Sequence, residues 1–238
     1  MKKFTLFLMM MAILFVLSPQ KSNAQPYTDN FESYTVGGFI AVQNPTWWMT
    51  WSNLPGSGED GQISTDFASS GTKSVLLDMA PGASDLVLKL GNKTSGVWDV
   101  NFDCYIQTGY CGYYNIQKTE VPGTQWAFEL YFHTDGSANL YAGSSTITFT
   151  YPKNTWFPVV NHIDLNADLI SLYVNGVMVY SWPFHYTSSS TTGMLQLGGV
   201  DFFAGAEGTD IPKFYIDDVE FIVPPPPAGS CDYRIDLW

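Results

Sequence analysis

Pro45-Thr-Trp-Trp-Met-Thr-Trp51, followed by a Gly-rich acidic loop carrying Glu59 and Asp60, is the densest group of recognition-type side chains in this 238-residue sequence. Flat indole faces stack on the apolar faces of pyranose rings, and neighbouring carboxylates accept hydrogen bonds from sugar hydroxyls. Trp47, Trp48, Trp51, Glu59 and Asp60 are therefore the candidate ligand-binding residues. Strand alternation puts Trp47, Met49 and Trp51 on one side and Trp48 on the other. Because most large aromatics of a sheet protein are core, at least one of these indoles is expected to be structural. Tyr105, Tyr110, Tyr113 and Tyr114, with Tyr173, Tyr180 and Trp182, form a second aromatic set that suits a wet groove and ordinary sheet packing alike.

Acid–base chemistry has thinner support. Glu129, in Phe-Glu-Leu-Tyr-Phe-His, is the best isolated carboxylate, and it has no paired acid on its own strand. Glu207 and Asp210, in the loop before the last strand, are the distant acids available to partner it. His133, His162 and His185 stand far apart, without zinc-type spacing. There is no Gly-x-Ser-x-Gly elbow and no phosphate loop, so no catalytic residue is assigned.

The ends of the chain fix where such a site would work. Lys2 and Lys3 precede an apolar run from Phe4 to Leu17, and Ser22-Asn23-Ala24 offers small residues at a cleavage position, so residues 1–24 read as a signal peptide. The mature protein is expected to be secreted or held at the cell surface, with no membrane span. Loss of three leader lysines leaves 7 basic against 22 acidic residues, a net charge of −15. Such a chain repels phosphate backbones and anionic lipid, which argues against nucleic-acid and membrane-surface partners and for neutral glycans or divalent cations.

The elements that must position the candidate residues read as strands. Aromatics make up 16% of the chain and charged residues only 13%, a balance that favours broad sheets over helices. Short strands recur about every ten residues: Ser74–Leu77, Leu86–Leu90, Val97–Ile106, Tyr113–Gln117, Trp126–Phe132, Ala138–Tyr141, Thr146–Tyr151, Met194–Leu197 and Lys213–Ile222. Between Trp156 and Trp182, Asn175-Gly176 predicts a type I′ hairpin with Val174 opposite Val177 and Leu172 opposite Val179. That register puts Ile170, Leu172, Val174, Val177 and Val179 on one face. The fold class is all-β, a two-sheet antiparallel β-sandwich over residues 25–223. Residues 224–230, with four prolines, read as a stiff linker. Residues 231–238 read as the start of a truncated second module, which predicts linkage to further domains. Cys104 and Cys111 flank a loop-forming segment with Gly109. A local disulfide and a pair of buried free thiols are both compatible with it, and Cys231 has no partner.

Trp, apolar residues, "IDL" and "LYVNG" across Trp156–Trp182 resemble the concanavalin A-like, laminin-G-type lectin and glucanase superfamily. Asp29-Asn-Phe-Glu32 and Phe214-Tyr-Ile-Asp-Asp-Val219 resemble the bookends of jelly-roll carbohydrate-binding modules and MAM-type adhesion domains. Cys231-Asp-Tyr-Arg-Ile-Asp-Leu-Trp238 is similar to the opening of a module of secreted Bacteroidetes proteins. The resemblance implies a jelly roll whose first and last strands pair. It also implies a structural calcium on Glu32 and Asp217, with Asp78 as third ligand. Glycosidases of this superfamily use a Glu-x-Asp-x-x-Glu strand, which is absent here. The implied function is a non-catalytic, lectin-like carbohydrate-binding module for an extracellular glycan. A protein-binding adhesion domain and a divergent glycoside hydrolase are the alternatives.

Overall fold

Alternation sets the layers. In the strand Trp126–Phe132, Phe128, Leu130 and Phe132 are buried in the core while Glu129 and Tyr131 point to the other face. A computed structural model describes residues 26–80 and 82–225, and repeats this pattern through two antiparallel sheets. The signal peptide expected over 1–24, most of the linker and the segment 231–238, with Cys231, lie outside the described residues.

The strands in chain order begin with β1 (Tyr27–Asp29), β2 (Trp48–Thr50), β3 (Gln62–Ser64), β4 (Ser74–Asp78) and β5 (Asp85–Lys93). The one-turn helix α1 (Ile40–Gln43) lies between β1 and β2. They continue with β6 (Val97–Tyr105), β7 (Gly112–Gln117), β8 (Trp126–Phe132), β9 (Ser137–Ala142) and β10 (Ser145–Thr150). The last five are β11 (Trp156–Asp164), β12 (Leu169–Val174), β13 (Val177–Trp182), β14 (Leu197–Phe203) and β15 (Lys213–Ile222). One sheet runs β13-β12-β11-β6-β15-β4-β3, with β1 also on β15; the other runs β10-β9-β8-β7-β14-β5-β2. First and last strands pair as the resemblance implied, with Tyr27 opposite Phe221 and Asp29 opposite Val219. Among the described residues no helix is long and apolar enough to cross a membrane.

Asn175 and Gly176 take φ of 50° and 75°, as a type I′ turn requires, and Val174 faces Val177. Beyond that rung a bulge shifts the register, so Leu172 faces Tyr180 rather than Val179, and Ile170 faces Trp182. The extra residue turns the Trp182 indole into the core, and Val177 is left exposed at the sandwich edge.

β14 lies where the sequence showed only Met194–Leu197, because Gly198-Gly199 reads as a strand breaker. These glycines are needed for close approach. A Cβ on Gly198 would sit 2.1 Å from the Thr119 carbonyl carbon, and one on Gly199 would sit 2.9 Å from the Leu88 oxygen. The disulfide reading is corrected. Cys104 is the penultimate residue of β6 in one sheet and Cys111 precedes β7 in the other, and both are free, buried thiols. Their linking segment crosses between layers instead of forming a hairpin. Burial raises the Cys104 thiol well above its ordinary value and pushes Cys111 up to about 12, which suppresses thiolate chemistry.

Candidate functional site

The outer face of the second sheet carries a polar and aromatic surface built by register. Tyr141, Glu129, Asn115 and Asp201 stand opposite one another across β9, β8, β7 and β14. A cleft of about 250 Å³ opens over this row. Its walls are Trp51, Trp126 and Phe203, and Tyr113, Tyr131, Glu129, Asp85 and Asp201 complete its lining. The two indoles lie near-parallel, with ring centroids 6.2 Å apart and planes at 21°. Trp51 is set by its backbone amide, which donates to the Asp85 carbonyl at 2.8 Å as the chain leaves β2.

Hydrogen bonds run continuously along the floor. Gln117 Nε2 donates to Asn115 Oδ1 at 2.5 Å, and Asn115 Nδ2 donates to Asp201 Oδ2 at 2.7 Å and Tyr113 OH at 3.0 Å. The hydroxyls of Tyr113 and Tyr131 both donate to Glu129 Oε1, at 3.1 and 3.3 Å. Two tyrosines thus orient one carboxylate. Beneath them Asp201 is 2% exposed, and Asp85 Oδ1 and Asp201 Oδ1 are buried without a donor. One proton held between these carboxyls satisfies both oxygens, since a neutral acid donates where a carboxylate only accepts. Burial raises both groups, Asp85 to about 6, and the charge of Asp85 adds to the effect at Asp201. Burial and the nearby Glu129 carboxylate likewise hold the Tyr113 hydroxyl protonated.

Beyond Tyr141 the face ends in a second cluster. Tyr141 OH donates to Glu207 Oε1 at 2.8 Å, and His133 sits between Asp210 (3.1 Å) and Glu207 (3.4 Å). Glu207 and Asp210 therefore reach the same sheet face as Glu129, at its far end. His162 and His185 lie elsewhere, on Asp99 and Asp168.

Of the residues expected to bind ligand, only Trp51 lines the cleft. Trp47 stacks on Tyr27 with centroids 4.4 Å apart. Trp48 is 1% exposed and its Nε1 donates to Tyr27 OH at 2.8 Å, so it is core and cannot touch a ligand. Glu59 accepts from Ser52 N and Oγ at 2.9 and 2.7 Å, bracing its own loop. Asp60 is 3% exposed and commits its two oxygens to the Ala41 and Gly56 amides. Of the tyrosine set, Tyr113 reaches the cleft, whereas Tyr114 points inward and donates to Asn161 at 3.0 Å. Asp85 and Asp201 escaped the sequence reading. The available signal was an acid on the outward alternation of an otherwise apolar strand.

The three carboxylates assigned to calcium do not converge, and among the described residues no three His, Cys, Asp or Glu side chains group to hold a metal. Glu32 accepts the Thr72 and Lys73 amides at 2.8 and 2.7 Å, and Asp217 accepts those of Ser69 and Ser70 at 2.8 and 3.2 Å. Both bookend acids therefore grip one loop through N–H donors, which is not the oxygen-rich shell calcium takes. The cation at this seam is Lys73, whose ammonium donates to the Glu32 and Tyr34 carbonyls, each at 2.8 Å. Asp78 faces Lys213 at 3.5 Å.

No family model matches the chain, and no curated protein matches it. Several solved structures resemble it. The alginate lyase Aly36B, solved with an alginate trisaccharide, superposes with a TM-score of 0.56 at 14% identity, covering 84% of this chain and 98% of that one. The catalytic domain of a glycoside hydrolase family 131 protein from Coprinopsis cinerea gives 0.49 at 16% identity, with 82% and 93% covered. A sialidase gives 0.48 at 13% identity over 68% of this chain, which spans only 16% of the sialidase's length. At such identities the likeness is one of fold: this chain is a two-sheet antiparallel β-sandwich of the jelly-roll type.

Proposed function

We propose that this chain is an exported, non-catalytic carbohydrate-binding protein whose site is the cleft over β8, β7, β14 and β5. The observation that carries the reading is the near-parallel Trp51–Trp126 pair beside Glu129. An indole face stacks on a sugar ring, while a carboxylate oriented by two tyrosines accepts its hydroxyls. Both tyrosine hydroxyls donate to Oε1, which leaves Glu129 Oε2 to accept from a ligand. The acid that most strongly retains its proton, Asp201, is only 2% exposed in the cleft lining and is held by the Asn115 amide, a poor position from which to protonate a glycosidic oxygen.

A hydrolytic reading has one observation in its favour: Asp85, held at about 6, shares the cleft with Glu129. One experiment separates the readings. The whole chain is screened on a glycan array and by polysaccharide pull-down, with reducing-end release followed in parallel. Trp126→Ala and Trp51→Ala are expected to weaken retention about 30-fold or more, the loss typical of a central aromatic anchor, while Trp47→Ala binds like the parent. Released reducing ends would establish a glycan-cleaving enzyme instead, a hydrolase where no unsaturated sugar forms alongside them. A folded parent that retains no glycan would end the carbohydrate reading.

A further inference from the structure

The cleft's charge and donor inventory bears on which sugar it takes, an inference that rests on the carbohydrate reading above. Three carboxyl groups line it, those of Glu129, Asp85 and Asp201, and no lysine or arginine does. The chain's one arginine, Arg234, lies outside the described residues. Lys89 shares the sheet face, and its ammonium is held on the Pro45 carbonyl at 2.7 Å. Lys153, near the His133 cluster, is held on the carbonyls of Tyr110 and Thr134 at 2.9 and 2.7 Å. A uronate or sulfate on a polyanionic glycan would therefore enter among carboxylates with no guanidinium fork to receive it. That is an electrostatic mismatch.

An ammonium group meets the opposite situation. It brings three donors and no acceptor, and the cleft presents acceptors in the carboxyl groups of Glu129 and Asp85. The walls are Trp51, Trp126 and Phe203, aromatic faces whose quadrupole attracts a cation and whose bulk excludes water from it. Even with one proton shared between the aspartates, Glu129 and the pair leave net negative charge between these rings. We propose that the cleft selects a sugar carrying a free, protonated amino group, a glucosamine-type residue of a deacetylated glycan, over its N-acetylated, neutral and uronate counterparts. The small volume accommodates one such residue, with the rest of the oligosaccharide lying along the row from Glu129 to Tyr141.

The test is calorimetry on the whole chain at mildly acid pH with four oligosaccharides of equal length: glucosamine, N-acetylglucosamine, neutral glucose and uronate. The glucosamine form is expected to bind about tenfold or more tighter than the N-acetylated form, and the uronate not measurably. Glu129→Gln should shrink the amine preference severalfold. Trp126→Ala keeps every charge, so a loose attraction of a polycation to the acidic surface would survive it, and binding in the cleft would not. Equal affinity for amine and N-acetyl forms, tight uronate binding, or amine binding indifferent to Trp126→Ala would overturn the amine selectivity and leave the glycan site standing. Failure of all four sugars to bind a natively melting protein would remove both.

Discussion

Trp48→Ala is expected to destabilise the protein by about 3–5 kcal/mol, the range for truncating a fully buried large aromatic. For a domain of this size that corresponds to a melting temperature lower by roughly 8–15 °C. The indole fills core between Phe31 and Phe202, and its Nε1 donates to a tyrosine hydroxyl that also serves Asp29. Its removal leaves a cavity and takes one of two donors from the Tyr27 hydroxyl, the other being Asn44 Nδ2 at 3.3 Å. The neighbouring indoles behave differently. Trp47→Ala removes a half-buried ring stacked on Tyr27, a loss of about 1 kcal/mol. Trp51→Ala likewise removes a half-buried ring stacked on Trp126, a loss of about 1 kcal/mol, and acts on ligand as well. Thermal melts of the three variants check the assignment. A Trp48→Ala protein melting within two or three degrees of the parent would contradict a core role.

The second large effect is in the pH dependence of stability, which is expected to pass through a minimum near pH 6–7. Burial raises Asp85 and Asp217 to about 6 and raises Asp201 as well. The folded state thus holds protons that the unfolded chain has released. The stabilisation is fully present below the ordinary carboxylate range and is lost as pH rises through about 6. Lys118 works in the other direction. It is fully buried, its ammonium donates to the Phe184 carbonyl over the Phe184 ring, and burial lowers it to about 7. Its penalty is absent above the ordinary lysine range and grows as pH falls towards 7. Below pH 4 the carboxylates held low, Glu32 and Asp210 among them, lose their amide and histidine partners and end the acid plateau.

With the partly exposed carboxyls discounted for solvent screening, the minimum should lie about 2 kcal/mol below shoulders near pH 4.5 and about pH 8.5, or about 4–8 °C in melting temperature, because above the ordinary thiol range the buried Cys104 and Cys111, protonated in the fold and ionised in the unfolded chain, lower stability again. Asp201→Asn supplies a permanent donor to Asp85 and should flatten the acid limb. Lys118→Met should raise stability near neutrality and flatten the alkaline limb. A profile with its maximum at pH 7 would show that these groups are not buried as described.

The strands that position the site were mostly legible, because alternation and turn chemistry are local. Trp126–Phe132 and Lys213–Ile222 appear with the bounds the sequence suggested. β14 was not legible, since Gly198 is tolerated for a close approach to Thr119 that no local pattern reveals. The site was less legible than the fold. Glu129 stood out as an acid in an apolar strand, but its companions come from β5 and β14, brought alongside by sheet order rather than by spacing. The Trp47–Trp51 cluster misled because its nearest acids in sequence, Glu59 and Asp60, brace their own loop, while the acid that shares a cleft with Trp51 is Asp85.

The pairing of β1 with β15 also decides how the molecule bears a mechanical load. Tyr27 opens β1 and lies opposite Phe221 near the close of β15, so the two ends of the sandwich leave side by side. Tension applied through them would part the rungs Tyr27–Phe221, Thr28–Glu220 and Asp29–Val219 one after another, as a zipper opens, rather than loading them together in shear. The path of that force stays in the sheet containing β15, and the cleft, on the outer face of the opposite sheet, lies outside it. A ligand could thus be held while the closing strand yields.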